Sequence, residues 1–100
     1  MTYARKPDGN QSAVVEALRA AGYTVDLTFR LGDGFPDLIV WSKTTPAIAV
    51  PIEVKMPREE LTPKEQKWWN EHIGCLKYVA YTAEGAIEYM QMVDRTVVVG

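Results

Sequence analysis

The sequence has few of the residues on which many enzymes and most zinc sites depend. Its 100 residues include a single cysteine, Cys75, and a single histidine, His72. An internal disulfide is therefore impossible, and a zinc site built from several Cys or His ligands lacks its donors. The longest uncharged stretch, residues 44–52, is interrupted by proline and is too short to span a bilayer. Any chemistry must rely on carboxylates, lysines, amides and hydroxyls.

The chain also has no excess of basic residues. Its 11 Lys and Arg are outnumbered by 13 Asp and Glu, which gives a net charge of -2. By itself this balance argues against a nucleic-acid partner. Apolar residues make up 47% of the chain and charged residues 24%, which is typical of one folded domain, here residues 1–100. No basic and apolar leader opens the chain, so secretion is not expected.

Apolar periodicity and turn residues predict an α/β fold with the order α-β-β-β-α-β-α. The sequence Thr62-Pro63-Lys64-Glu65 has the form of a helix start, in which Thr62 and Glu65 cap each other. Residues 1–9 are expected to form a polar arm, and residues 94–100 a tail or an edge strand. The predicted helices cover residues 10–21, 62–73 and 83–93, and the predicted strands cover residues 23–30, 37–41, 47–55 and 76–81.

Several single residues carry specific expectations. Alternation puts Leu27 on the buried face of the first strand. Pro51 lies within the third strand and lacks a ladder donor, so an edge segment or a bulge is expected there. Trp68 and Trp69 are adjacent and cannot share one helix face, so one of them is expected in the core. Cys75 is expected to be a small core residue.

Two carboxylates and a lysine lie on neighbouring predicted strands that are otherwise apolar. Asp37 begins the second strand, and Glu53 and Lys55 project from one face of the third. Charged groups on apolar strands are costly unless they are paired or bind metal. A divalent cation would relieve the repulsion between Asp37 and Glu53, and oxygen donors of this kind suit Mg²⁺ or Mn²⁺. Lys55 could then orient a water or stabilise charge on a phosphate. The group is equipped for metal-assisted hydrolysis of a phosphodiester.

A purely structural interpretation of the same residues is open at this point. Asp37 could close the turn that begins at Gly34, and Glu53 could pair with Lys55 as a salt bridge. The order of the motifs along the whole chain favours the catalytic interpretation.

Four short motifs follow one another along the chain: Asn10-Gln11, Gly34-Phe35-Pro36-Asp37-Leu38, Glu53-Val54-Lys55 and Leu61-Thr62-Pro63-Lys64-Glu65-Gln66. In this order they resemble the PD-(D/E)XK nucleases, and more narrowly the stand-alone VRR-NUC domains of phages and bacteria. Pro36-Asp37 and Glu53-Val54-Lys55 match the nuclease signature. The VRR-NUC pattern adds an Asn-Gln pair that opens the first helix, a Gly-x-Pro-Asp-Leu strand and a Leu-Thr-Pro-x-Gln helix start, which the other three motifs match.

The resemblance, which covers about residues 8–90, implies a restriction-endonuclease-like core and metal-dependent cleavage of DNA. Such a core is a mixed central sheet flanked by helices. By this resemblance Asp37, Glu53 and the Val54 carbonyl bind the metal, Mg²⁺ or Mn²⁺, and Lys55 is the catalytic lysine. It also implies a cytoplasmic location in a bacterial or phage-infected cell.

Two glutamines are further candidates. Many members of the superfamily have a metal-binding glutamate on the first helix, and the matching position here is Gln11, whose neutral amide coordinates more weakly. Glu16 lies about 140° round the helix from Gln11 and is expected in solvent. The number of metal ions, one or two, is left open. Gln66 is expected to orient Lys55, a water or the phosphate, and its alternative is an ordinary solvated helix residue.

Basic residues near these motifs are candidates for contacts with DNA phosphates: Arg5, Lys6, Arg58, Lys64 and Lys67. No base-reading motif is present, and no membrane partner is expected. Resemblance to Holliday-junction resolvases indicates a homodimer that nicks branched DNA such as four-way junctions, with one site for each strand. The alternatives are a weak or inactive DNA-binding module, motivated by Gln11, and a nuclease for flaps, nicked duplex or RNA.

Overall fold

The structure, a computed structural model, describes residues 9–44 and 47–96. Within these ranges the predicted α/β fold and its α-β-β-β-α-β-α order are confirmed. The helices are α1 (Gly9–Ala20), α2 (Pro63–Glu71) and α3 (Ala83–Thr96), and the strands are β1 (Thr24–Leu27), β2 (Leu38–Trp41), β3 (Ala49–Val54) and β4 (Tyr78–Ala80). Residues 1–8 of the predicted arm and residues 97–100 of the predicted tail lie outside the described part.

The four described strands form one mixed sheet in the order β1-β2-β3-β4. β2 is antiparallel to both β1 and β3, and β4 is parallel to β3. A parallel neighbour requires a crossover, and α2 lies in that connection. Pairing with β4 begins only at Ile52, so at Pro51 the strand β3 has a partner on one side alone. The expected edge segment at Pro51 is therefore present, whereas the register with β2 continues through it without the expected bulge.

The core lies between the sheet and the helices α1 and α3. Successive side chains of a strand point to opposite faces, so alternate residues such as Val25, Val40 and Val50 share one buried face across β1, β2 and β3. The buried apolar residues of the two helices are Val14, Val15 and Leu18 of α1 and Ala86, Met90 and Val93 of α3. The helix α2 has no buried residue, so it is not part of this core.

Some of the single-residue expectations are wrong. Leu27 is 50% exposed because it is the last residue of β1, an edge strand. Cys75 is exposed because it lies in the connection between α2 and β4. Trp68 and Trp69 are both half-buried on a helix without a buried face, so neither is a core residue. The last helix extends to Thr96, beyond its predicted end. None of the described helices has the length and apolarity that a membrane crossing requires.

Candidate active site

The two carboxylates predicted to bind metal meet near the adjoining ends of β2 and β3. Leu38 pairs with Ile52 in the antiparallel register, so the next residues along, Asp37 and Glu53, are opposite each other. Asp37 Oδ2 accepts a hydrogen bond of 2.9 Å from the amide of Val54. Asp37 is 8% exposed and Glu53 is 2% exposed. The structure therefore brings the two acids together in a buried position.

The environment of Glu53 disfavours its negative charge. Burial, the charge of Asp37 and side-chain contacts with Asp37 and Glu65 raise the pKa of Glu53 to about 10. Like charges in close contact oppose each other's ionisation, so this environment favours a proton on the Glu53 carboxyl. A cation that replaced this proton would allow both acids to ionise.

The ammonium group of Lys55 is surrounded by three carboxylates. Lys55 Nζ lies 2.7 Å from Glu65 Oε1, 3.7 Å from Glu59 Oε2 and 3.9 Å from Glu53 Oε2. Burial would lower the pKa of Lys55, but the hydrogen bond to Glu65 and the charges of Glu65, Glu53 and Glu59 outweigh it and raise that pKa. Lys55 is therefore a fixed positive charge beside the acid pair.

Glu65 is a functional candidate that the sequence prediction missed. Its backbone N donates to Thr62 Oγ1 at 3.2 Å, and its Oε1 accepts from Thr62 N at 2.8 Å, which forms the predicted capping box. The same Oε1 contacts Lys55. Burial would raise the pKa of Glu65, but the hydrogen bonds from Lys55 and from the Thr62 amide outweigh it and lower that pKa. A signal was available, because the glutamine of the pattern Leu-Thr-Pro-x-Gln falls at position 65.

Gln66 lies outside this group of charges. Its side chain is exposed, and its Nε2 donates to Asn70 Oδ1 at 2.9 Å along the same helix. One step along a helix turns a side chain by about 100°, which separates Gln66 from the direction of Glu65. The contact with Lys55 that was expected of Gln66 is made by Glu65 instead.

The loop before β2 fits closely against the start of α2. Gly34 has φ +80°, and a Cβ added to it would lie 2.8 Å from the amide nitrogen of Glu65 and closer still to the Lys64 carbonyl. Only glycine satisfies both the left-handed backbone and the close approach. The neighbouring Phe35 lies edge-on to Trp68, with ring centroids 5.6 Å apart. These contacts hold α2 against the loop and bring Glu65 to the acid pair.

The start of α1 is tied to the ends of β3 and β4. Asn10 Nδ2 donates to the carbonyl of Lys55 and to the carbonyl of Tyr81, each at 2.9 Å. The sequence does not predict this bridging contact of Asn10. Gln11 is 3% exposed, and Glu16 is exposed as expected. The Asn-Gln pair therefore consists of a bridging residue, Asn10, and a buried amide, Gln11.

The basic residues predicted to contact DNA lie on the surface wherever the structure describes them. Arg58, Lys64 and Lys67 are exposed. Lys64 Nζ lies 3.8 Å from Asp33 Oδ1, and both side chains are well exposed. An ion pair of this kind is weak, so Lys64 stays available to another anion. Arg5 and Lys6 lie outside the described residues.

The donors available to a metal are oxygens. Within residues 9–44 and 47–96, no group of three His, Cys, Asp or Glu side chains is arranged to hold a metal ion. The candidate donors are the carboxylates of Asp37 and Glu53, the carbonyl of Val54 and the amide of Gln11. A cation bound by so few protein groups takes its remaining ligands from water or substrate, as Mg²⁺ does in many proteins.

A comparison with known protein families finds a match over most of the chain. The model of the VRR-NUC domain matches residues 5–84. The chain belongs to the VRR-NUC family. The matched segment contains every candidate site residue from Arg5 to Lys67. A VRR-NUC domain is a nuclease domain of the PD-(D/E)XK type, and DNA is its substrate. The comparisons with curated proteins and with solved structures find no significant match.

Proposed function

We propose that this VRR-NUC domain is a Mg²⁺- or Mn²⁺-dependent endonuclease that hydrolyses phosphodiester bonds in branched DNA. The observation that carries the proposal is the buried pair of Asp37 and Glu53, with Lys55 Nζ 3.9 Å from Glu53. Buried acids placed together destabilise a fold unless a cation or proton compensates them. Nucleases of this domain family normally use divalent metal ions, and the acid pair has the character of such a site.

The donor set fits a hard divalent cation. Asp37 and Glu53 would hold it with carboxylate oxygens and Val54 with its carbonyl, and Gln11 is a candidate for a weaker amide ligand. When bound, the ion would polarise the phosphate and lower the pKa of a bound water. An amide in place of a third acid favours one ion over two.

Lys55 is the proposed catalytic lysine. Held by Glu65 at 2.7 Å, its ammonium can bind an oxygen of the scissile phosphate and stabilise the charge that develops there. Buried surroundings screen this interaction less than water does. Glu65 acts through Lys55 and is a positioning residue.

Basic residues are the proposed contacts with the DNA backbone. They are Arg58, Lys64 and Lys67, together with Arg5 and Lys6 of the arm. Phosphate contacts fix the orientation of DNA without reading its sequence. A 100-residue chain covers little of a duplex, so the proposed active form is a symmetric homodimer. Its two sites would each cut one strand of a four-way junction.

A cleavage assay over several substrates tests the proposal. Four-way junctions, flaps, nicked and intact duplex, single strands and RNA are incubated with the purified protein and Mg²⁺, Mn²⁺ or EDTA. We expect junctions to be nicked fastest, with no cleavage in EDTA or by Lys55→Ala. Sedimentation gives the mass of the active form. Faster cleavage of flaps, nicked duplex or RNA would overturn the proposed substrate, and an active monomer would overturn the dimer.

A DNA-binding module without catalysis is the second candidate. It is favoured by the neutral Gln11 and by the lack, among the described residues, of a third acidic, His or Cys group placed to bind metal. Such a module would bind DNA as well in EDTA as in Mn²⁺. Folded wild-type protein that binds a junction but cuts no substrate with either metal would establish this candidate.

A further inference from the structure

A tight turn directly after Lys55 holds an arginine in a backbone conformation that favours glycine. The amide of Glu59 donates to the Met56 carbonyl at 3.0 Å, which closes a four-residue turn. Pro57 is second in this turn and Arg58 is third, with φ +71°. Proline followed by a left-handed residue is the pattern of a type II turn, and its third position is normally glycine or asparagine. Arginine there strains the backbone, and such strain is often found at functional sites.

The turn is anchored to the proposed catalytic lysine. Glu59 Oε1 accepts from the Met56 amide at 2.8 Å, and Glu59 Oε2 lies 3.7 Å from Lys55 Nζ. The negative charge of Glu59 is therefore engaged within the turn. Arg58 is exposed, and none of the described residues accepts a hydrogen bond from its guanidinium. Among the described residues, the positive charge of Arg58 therefore has no partner and can bind an external anion.

The turn borders a shallow, open cavity of about 550 Å³ on the surface, which also reaches the first residue of α1. The lining residues are Gly9, Met56, Pro57, Arg58 and Glu59. The wall combines the apolar side chains of Met56 and Pro57 with the guanidinium of Arg58 and the carboxylate of Glu59. Because Glu59 is engaged by the Met56 amide and by Lys55, the guanidinium is the group left to bind an anion, and the apolar side chains suit a sugar ring. Glu59 lines this cavity and its Oε2 lies 3.7 Å from Lys55 Nζ, so the cavity lies close to the proposed catalytic lysine.

We propose that this cavity is a subsite for the sugar–phosphate unit next to the scissile phosphate, and that Arg58 binds the phosphate of that unit. The inference rests on the proposed function and deepens it, because it assigns one backbone contact to one strained residue. A guanidinium can bind two phosphate oxygens through parallel hydrogen bonds, which glycine or asparagine cannot do. Glycine would remove the backbone strain of the turn, whereas arginine can bind a phosphate of the DNA.

The variant Arg58→Gly tests the backbone strain and the phosphate contact separately, through stability and DNA affinity. Because the strain is relieved, the variant should unfold at a higher urea concentration than the wild type. Binding of a fluorescent four-way junction in EDTA should become about tenfold weaker, as expected for a lost hydrogen bond to a charged group. The slope of log affinity against log salt should also become shallower by about 0.9, the value for one phosphate contact. Arg58→Lys keeps the charge, so its affinity for the junction should lie between that of the wild type and that of Arg58→Gly.

Arg95→Gln provides the control for charge alone. Arg95 is an exposed residue in the last turn of α3, and its loss should leave the salt slope unchanged. An Arg58→Gly protein that binds with wild-type affinity and slope would overturn the subsite. So would an equal loss of affinity in Arg95→Gln. A wild type that binds the junction without cutting it refutes the nuclease and not the subsite, whereas a wild type that binds no DNA refutes both.

Discussion

Lys55 and Glu65 form an ion pair across two elements, with Lys55 Nζ 2.7 Å from Glu65 Oε1. Lys55 follows β3, and Glu65 lies in the first turn of α2. A largely buried pair is favourable only when its geometry is good and its other hydrogen bonds are made. Glu65 meets this condition, because the same oxygen accepts from the Thr62 amide at 2.8 Å. One carboxylate oxygen thus both caps a helix and holds the proposed catalytic lysine.

Removal of this carboxylate should lower turnover more than substrate affinity. In Glu65→Ala, Lys55 loses its nearest acceptor, and a catalytic group misplaced by about 1 Å costs on the order of 100-fold in rate. We expect kcat for junction cleavage with Mn²⁺ to fall by about this factor while KM changes little. Glu65→Gln keeps an oxygen that can accept from Lys55 and should restore part of the activity.

Thr62→Ala tests whether the helix cap alone explains such a loss. It removes the hydroxyl that accepts from the Glu65 amide and leaves the Glu65 carboxylate and the Thr62 amide in place. Loss of an N-cap costs about 1 kcal/mol of stability, which urea unfolding measures. Cleavage below the unfolding transition should stay near the wild-type rate. A loss of kcat as large as in Glu65→Ala would assign the effect to the cap.

The metal-free protein should lose stability with rising pH because of Glu53. Burial and the adjacent Asp37 raise the pKa of Glu53 from the ordinary 4.5 to about 10. Between these values the folded state keeps a proton that the unfolded state has released, so the free energy of unfolding falls as the pH rises. Below the lower value both states are protonated, and this destabilising effect is absent.

Glu53→Gln measures that effect, because glutamine is neutral and similar in shape. In EDTA the variant should be more stable than the wild type at about pH 8, and the difference should shrink towards about pH 5. Urea unfolding at both pH values gives the two free energies. Mn²⁺ should stabilise the wild type and not the variant. A difference between the proteins that does not change with pH would contradict the assigned proton.

The sequence predicts the acid pair well because it follows from local patterns. Apolar strands frame Asp37 and Glu53, and antiparallel pairing then brings them opposite each other. The contact between Lys55 and Glu65 depends instead on how closely α2 approaches the loop at Gly34, which no periodicity encodes. The sequence predicts only the capping role for Glu65, and the resemblance places the positioning role at Gln66. One side chain in fact makes both contacts.

Asp37 has a structural contact that any test of its chemistry must preserve. Its Oδ2 accepts from the Val54 amide, and a buried N–H left without a partner costs about 1–3 kcal/mol. Asp37→Ala should therefore be both inactive and less stable. Asp37→Asn can offer an amide oxygen to Val54, so it should unfold like the wild type while binding Mn²⁺ weakly and cutting no DNA. Wild-type cleavage by Asp37→Asn would remove Asp37 from the proposed metal site.

Substitution of Gly34, which is not itself a site residue, should disturb the site by displacing α2. In Gly34→Ala, the new Cβ would lie 2.8 Å from the Glu65 amide nitrogen, on a backbone with φ +80°. The left-handed conformation alone costs about 1–2 kcal/mol, and relief of the close contact requires α2 to move. We expect lower stability and slower cleavage together, because Glu65 moves with its helix and releases Lys55.

Gly32→Ala separates the backbone strain from the movement of α2. Gly32 also has a positive φ, +72°, but no atom lies within 4 Å of a Cβ added there. Its alanine variant should lose about 1–2 kcal/mol by urea unfolding and cleave junctions at the wild-type rate. Gly34→Ala should lose more stability than Gly32→Ala. Of these two variants, only Gly34→Ala should cleave junctions more slowly than the wild type. Equal stabilities and equal rates in the two variants would mean that Lys55 is held without the close approach of α2 to Gly34.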